Sequence, residues 1–448
     1  MISTTTKPRT RNNVCPPTSE LGSQERPRAG RGAGTASHAS LRALHTLVLA
    51  LAIATATHSS AAETSWRFET GGKIIGKPTI TSDTIYLAGG NTVHALGLDG
   101  SERWRRSLAA DIAASIRGDD DTIYVHSSMG LHALSLEGEP RWTYDAEDRG
   151  PLVDGRTWGW GSEILADPWG WYRSTPLILE DAVIFGSSDG VHAVAKDSGE
   201  QLWRVPMGPV TTDAKIHGDL LVVASWNHSV YGIEQSTGKV RWRFRADLPP
   251  SKGVDWAGYQ GFHLTPVIDG DRVFVGNRNT NFYALRVEDG TIAWSSKVGS
   301  SWIGSPAVTS EEHVFYGLSD GQAVLGHRKN SGALSHFFRT DSLVFAQPVL
   351  WGGQLIVGTL SGHLFSIDTV SGEGREITHF GPAEKRYAEF FQSAGRPDGL
   401  SPHQAAEYSI ERMLVESNSI LSLEVEGDAL YVGTASGVLH VLDLDGGD

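Results

Sequence analysis

One phrase, written eight times, constrains this chain more than any other feature. An apolar run reaches a turn, a second apolar run follows, a pair ending in Gly comes next, and a Trp closes the unit. The first copy has Thr84-Ile85-Tyr86-Leu87-Ala88-Gly89, Val93-His94-Ala95-Leu96, Asp99-Gly100 and Trp104. The fifth has Val273-Phe274-Val275-Gly276, Phe282-Tyr283-Ala284-Leu285, Asp289-Gly290 and Trp294. Trp104 and Trp142 stand 38 residues apart, Trp203 and Trp242 stand 39. Two copies decay. The sixth has Phe337 near the Trp position, and the seventh, with Ser371-Gly372, has no Trp. The eighth has Leu430-Tyr431-Val432-Gly433 and Val438-Leu439-His440-Val441.

A short unit of this kind cannot bury its own faces and must stack on its neighbours. Each copy supplies four short strands. Pro78, Pro176, Pro266, Pro306 and Pro348 mark the innermost one. The pair ending in Gly makes a tight turn that needs positive φ. The Trp that follows packs its ring into the gap between adjacent sheets. The expected fold is all-β: an eight-bladed β-propeller of four-stranded blades. Trp66-Arg67-Phe68 forms an outer strand with no inner strands before it, and the eighth copy lacks an outer strand. The N-terminal strand therefore completes the last blade and leaves no open edge. Gly at 52 and Trp at 14 of 448 residues, against 4 Met, suit turns and aromatic-anchored strands rather than helical bundles.

Residues 1–62 precede this pattern. A basic segment with Arg26, Arg28, Arg31 and Arg42 leads into the apolar run 44–54 and then the small residues 55–62. That order marks a secretory signal peptide, and the run is shorter than the about 20 residues of a membrane span. The expected domain is then 63–448, periplasmic or secreted, monomeric and without a transmembrane span. Cys15, the one cysteine, would leave with the signal. A net charge of −14 argues against nucleic acid as a partner.

Three interruptions of the repeat, at about 145–173, 245–263 and 378–418, all fall between an outer strand and the next inner strand, so they emerge on one face of the disc. Long loops in a compact fold carry function or disorder. The first holds Trp158, Trp160, Trp169, Trp171 and Arg173. So many indoles either pack as a lid over the central channel or bind a partner. The second holds Trp256 and His263. The third is helix-prone, and Ser401, Pro402 and Gln404 form an N-cap signature. Turns on the same face add Trp226, His228 and Arg278, and a loop adds Trp302. An Arg among aromatics and amides can hold a carboxylate or a sugar-like ligand, while turn chemistry and blade packing account for the same residues.

The phrase 188–194, Ser-Asp-Gly-Val-His-Ala-Val, followed by 197–203, Asp-Ser-Gly-Glu-Gln-Leu-Trp, resembles the quinoprotein-type (PQQ-like) propeller repeat. So does 235–242, Gln-Ser-Thr-Gly-Lys-Val-Arg-Trp. The resemblance covers essentially residues 64–448. It implies the fold, and either of two activities, because the family holds both enzymes and scaffolds. The dehydrogenase branch would imply PQQ with calcium over the channel. Against it stand the missing cysteine pair and the lack of a dense Glu/Asn/Asp group for calcium, since Asp255, Asn277, Asn279 and Asn281 read as turn residues. The chain resembles more closely the BamB-like, non-catalytic branch. That branch implies a propeller without a cofactor, which binds an envelope protein or a small ligand through its insert-bearing face. A carbohydrate- or alcohol-acting enzyme, with its site over the channel, is the alternative.

Overall fold

The computed structural model describes residues 64–445 apart from 147, 156–160, 248–260, 300, 382–386, 391, 393 and 394. The expected leader lies outside the described residues, as do Trp158, Trp160 and Trp256. Eight four-stranded antiparallel sheets follow one another along the chain. In blade 1 the strands, from the axis outward, are Thr79–Ile80, Thr84–Gly89, Thr92–Gly97 and Glu102–Ser107. The two middle strands are nearly continuous apolar runs because neighbouring blades cover both their faces; every residue of Thr84–Gly89 is buried. The outermost strand, at the rim, alternates exposed with half-buried residues.

The ring closes as its ends foretell. Blade 8 takes its inner three strands from Ile420–Glu426, Ala429–Thr434 and Val438–Asp443, and its outer strand from Thr64–Glu69. Trp66 faces Val441 and Phe68 faces Leu439 across that antiparallel pair.

The repeated Trp joins each blade to the next. The Nε1 of Trp104, Trp142, Trp203, Trp242 and Trp294 donates to the carbonyl of Leu136, Lys196, Gln235, Val287 and Lys329 respectively, each in the following blade. Each ring also lies on that blade's turn glycine. A Cβ on Gly199, at φ +72°, would stand 2.5 Å from the Trp142 ring, so the turn needs glycine twice over, for its backbone and for the space. Trp66 lies on Gly100 in the same way and extends the chain of contacts across the closure.

In the sixth blade Phe337 stands near the Trp position, as expected, but the residue at that position is His336. His336 faces Gly326 as Trp294 faces Ala284, lies against Gly372, and is 3.2 Å from the Val370 carbonyl through Nε2. Phe337 points outward and is 60% exposed. One residue of register on a strand exchanges the two faces.

The third interruption forms two helices, α1 (Tyr387–Phe390) and α2 (Pro402–Glu416). At the start of α2 the Ser401 side chain accepts from the Gln404 backbone, and the Gln404 side chain accepts from the Ser401 backbone. Ile410, Met413 and Leu414 of α2 join Phe390, Leu343, Phe345 and Leu421 in one apolar cluster. No described helix is long and apolar enough to cross a membrane.

Candidate functional site

The strand order places all three interruptions in connections from an outer strand to the next inner strand, hence on one face. The first interruption is the best described. It opens with Asp148, whose Oδ1 accepts from Gly150 N and Ser188 Oγ. Asp148 Oδ2 lies 3.1 Å from Arg173 Nε, an ion-pair distance without hydrogen-bond alignment, and 4.0 Å from His126 Nε2. Burial pushes the His126 imidazole below its ordinary range, and Asp148 only partly offsets this. A short antiparallel ribbon then pairs Leu152–Asp154 with Ile164–Ala166. Val153 is buried on one side of it; Leu152, 49% exposed, and Ile164, 61% exposed, share the other. Met129, 53% exposed, sits in a turn of blade 2 on the same face of the disc.

Beyond the ribbon the chain crosses the mouth of the channel. Trp169 and Trp171 lie 5.5 Å apart between ring centroids, and 5.6 and 5.7 Å from Phe345. Both pack on the cluster that holds α2. Tyr172 Oη donates to the Leu421 carbonyl, and His403 Nε2 of α2 lies 2.9 Å from the Ala166 carbonyl. The first and third interruptions thus form one cover.

The cover is also fixed to blade 5. Arg278 Nη1 donates to Asp167 Oδ2 at 2.8 Å, and the two side chains are 2% and 0% exposed. The guanidinium carbon lies 4.4 Å from the Trp226 ring centroid and 5.0 Å from that of Trp302. Trp226 Nε1 donates to Thr211 Oγ1, and its ring touches His263 at 5.7 Å. Burial, helped by Arg278, holds the His263 imidazole well below its usual range. Of the turn residues that the sequence places near the second interruption, Trp226 and Arg278 lie together, with Trp302 and His263 beside them. The sequence did not foresee that the carboxylate Arg278 holds is the chain's own Asp167, in the interior rather than at a surface. His228 stands apart, at φ 67° in the blade 4 turn, its pKa lowered by burial and by Arg245.

Beneath the cover lies a cavity of about 280 Å³, lined from all eight blades and therefore on the axis. Tyr172, Arg173, His263 and Phe345 line it near the cover; Lys77, Arg117, Lys215, Asp213 and Glu424 line it deeper. Pairing with the next strand puts Arg117, Lys215 and Glu424 at one equivalent inner-strand position, opposite Tyr124, Val222 and Tyr431. Blades 5 to 7 carry Val267, Val308 and Val349 there. The residue two earlier faces the cavity in every blade, as Lys77, Thr175, Asp213, Thr265 and Gln347 do. These wall residues were missed in the sequence. Their signal was present: the residue before the inner-strand Pro is polar in most copies.

A quinone with calcium does not fit the described residues. At the mouth the rings of Trp169, Trp171 and Phe345 pack on one another. Asn277 and Asn279 are spent in the turn, their Oδ1 atoms accepting from Asn279 N and Asn281 N. Among the described residues there is no group of three or more His, Cys, Asp or Glu placed to hold a metal.

A family model described as outer membrane protein assembly factor BamB matches residues 53–160 and 187–384, about two thirds of the chain. The outer membrane protein assembly factor BamB of Shewanella oneidensis is 23% identical over 206 residues, 44% of this chain and 51% of that protein. Its counterpart from Yersinia pestis is 22% identical over 211 residues, again 44% and 51%. The chain spans about half the length of the curated relatives it matches. BamB from Moraxella catarrhalis superposes with a TM-score of 0.61 at 16% identity, covering 85% of this chain and 99% of that one. Quinohemoprotein alcohol dehydrogenase from Comamonas testosteroni gives 0.61 at 12% identity, covering 86% and 77%. At such identities the structural likeness carries the fold alone.

Proposed function

The chain belongs to the family of outer membrane protein assembly factor BamB; on that premise we propose that it is a non-catalytic binding propeller of the cell envelope, holding a protein partner on its insert-bearing face. The observation that carries this reading is the ribbon of the first interruption. It presents Leu152 and Ile164 to solvent on one side while its other side is packed. Exposed aliphatic side chains on a short two-stranded ribbon, backed by a fixed cover, form a surface suited to a protein partner. The indoles Trp169 and Trp171 serve as the backing rather than as the contact, since they are packed on Phe345. The relatives' name, outer membrane protein assembly factor, suggests that the partner is an envelope protein engaged in that assembly.

The test is a photo-crosslinking residue at Ile164, compared with one at Leu202, which is equally accessible on the rim strand of blade 3. A discrete adduct with an envelope protein from position 164 alone is the expected result. Adducts of equal yield from both positions, or none from position 164, overturn the reading. Replacing Leu152 and Ile164 by Asp should abolish the adduct formed from a probe at Met129 without altering the melting temperature.

A further inference from the structure

We propose that the axial cavity is a binding site for a small oxyanion, a carboxylate or phosphate group on a molecule of few carbon atoms. Three cations from three blades meet on its wall: Lys77, Arg117 and Lys215. Two carboxylates answer them. Glu424 Oε2 lies 3.4 Å from Lys77 Nζ, and Asp213 Oδ2 lies 3.9 Å from Lys215 Nζ. One positive charge is left over on this wall. Arg117 directs its hydrogen bonds to neutral oxygens, Thr79 Oγ1 at 3.1 Å and the Ile116 carbonyl at 3.2 Å.

The like charges are close enough to oppose one another. Burial lowers the Lys77 ammonium, Glu424 offsets part of this, and Lys215 and Arg117 lower it further. An anion among the three would relieve that repulsion and regain the solvation the cations lose in the channel. The guanidinium is suited to it, because its planar fork matches the paired oxygens of a carboxylate or phosphate. Hydroxyls of Thr211 and Thr265 on the wall add neutral hydrogen-bonding groups. The volume, about 280 Å³, falls just below the range of about 300–1,000 Å³ for drug-sized ligands, which selects a small molecule. This site stands apart from the partner-binding face, so either proposal can fail without the other.

The experiment is calorimetric titration of the full chain with sodium succinate and, separately, with inorganic phosphate, against sodium chloride at matched ionic strength. Saturable one-site binding of at least one probe is expected. Arg117→Gln and Lys215→Gln should each weaken it about tenfold or more, the loss of a charge-assisted contact. Lys239→Gln, on an exposed rim turn, should leave it unchanged. Succinate alone, phosphate alone, or both binding would assign the site to carboxylates, to phosphates, or to oxyanions in general. Lys215 is the more exposed of the two replaced cations, so its variant keeps the test open if Arg117→Gln fails to fold, as circular dichroism would reveal. No saturable heat with either probe up to about 10 mM, or binding that every folded variant leaves unchanged, overturns the proposal.

Discussion

Arg278→Ala tests most directly whether this arginine pins the cover or waits for a ligand. The substitution removes one member of an ion pair whose side chains are 2% and 0% exposed, and leaves Asp167 as a buried carboxylate without it. Breaking such a pair costs about 3–5 kcal/mol. Two cation–π contacts, to Trp226 and Trp302, go with it at about 1 kcal/mol each. The expected total is about 5–7 kcal/mol. For a domain of this size, at about 2 °C per kcal/mol, the calorimetric transition should fall by about 10–14 °C. Asp167→Asn keeps a hydrogen-bonding side chain beside Arg278 and should cost less, about 2–3 kcal/mol. Replacing both, with Asp167→Leu and Arg278→Met, removes the two charges together and should cost less than Arg278→Ala alone. Scanning calorimetry gives the magnitudes. Limited proteolysis gives the location, because a cover freed from blade 5 should be cut between Asp148 and Trp171 before the blades are. An Arg278→Ala protein within about 1 kcal/mol of wild type, with an equally resistant cover, would refute the reasoning and leave Arg278 available to hold a ligand.

Gly199→Ala forces a Cβ to 2.5 Å from the Trp142 ring at φ +72° and should cost about 2–4 kcal/mol; Gly218→Ala, at φ +59° with nothing within 4 Å, carries the backbone strain alone and should cost about 1 kcal/mol, both read by thermal denaturation. His336→Trp restores the repeat in blade 6, with an Nε1 placed for the Val370 carbonyl, and should stabilise by about 0.5–2 kcal/mol in the same assay. His440 faces Arg67 across the ring-closing strands, and its pKa is lowered from 6.5 to about 4 by burial and by Arg67. A pKa lowered on folding means that the unfolded chain takes up the proton first, so the stability His440 confers is complete above pH 6.5 and is lost as the pH falls towards 4. After allowance for screening at a partly exposed ring, this amounts to about 2 kcal/mol. His440→Asn should therefore narrow the difference in melting temperature between pH 7 and pH 5, and an unchanged difference would refute the assignment.

The blades and their closure were legible because repetition supplies eight independent readings of one pattern. The first two copies and the last agree on where strands turn, and the orphan strand around Trp66 has one vacancy to fill. The sixth blade shows how far residue type alone reaches, since Phe337 marks only the neighbourhood of the Trp position. In five copies the Trp stands four residues after the turn Gly, as Trp294 follows Gly290, and four after Gly332 is His336. Spacing from the turn Gly singles out His336, which residue type alone does not. The helix α2 was legible from Ser401, Pro402 and Gln404, since caps are local. The pair Asp167–Arg278 was not, because 111 residues separate its members and no pattern links a loop on one side of a ring to a turn on the other. Asp148 is linked to Arg173 and Ser188 by no sequence pattern either, although both lie in the same or the adjoining part of the chain. The channel charges lie between these cases: their strand position was readable, but their convergence needs the ring.

That difference bears on how the insert-bearing face works. Loops on a propeller are ordinarily independent, each anchored in its own pair of blades. Here the connection between blades 2 and 3 reaches blade 3 through Asp148 and Ser188, blade 5 through Asp167 and Arg278, and blade 8 through Tyr172 and Leu421. It meets α2, from the connection between blades 7 and 8, through His403 and Ala166. Each of these attachments is a hydrogen bond or ion pair at a buried or half-buried site, where losing one partner is costly. The ribbon carrying Leu152 and Ile164 therefore stands on a base tied to several blades at once. A partner that grips the ribbon meets a surface already ordered and avoids part of the entropy of immobilising a free loop. The cost of that order is met during folding, by burying Asp148, Asp167 and Arg278 together with the Trp and Phe rings at the channel mouth.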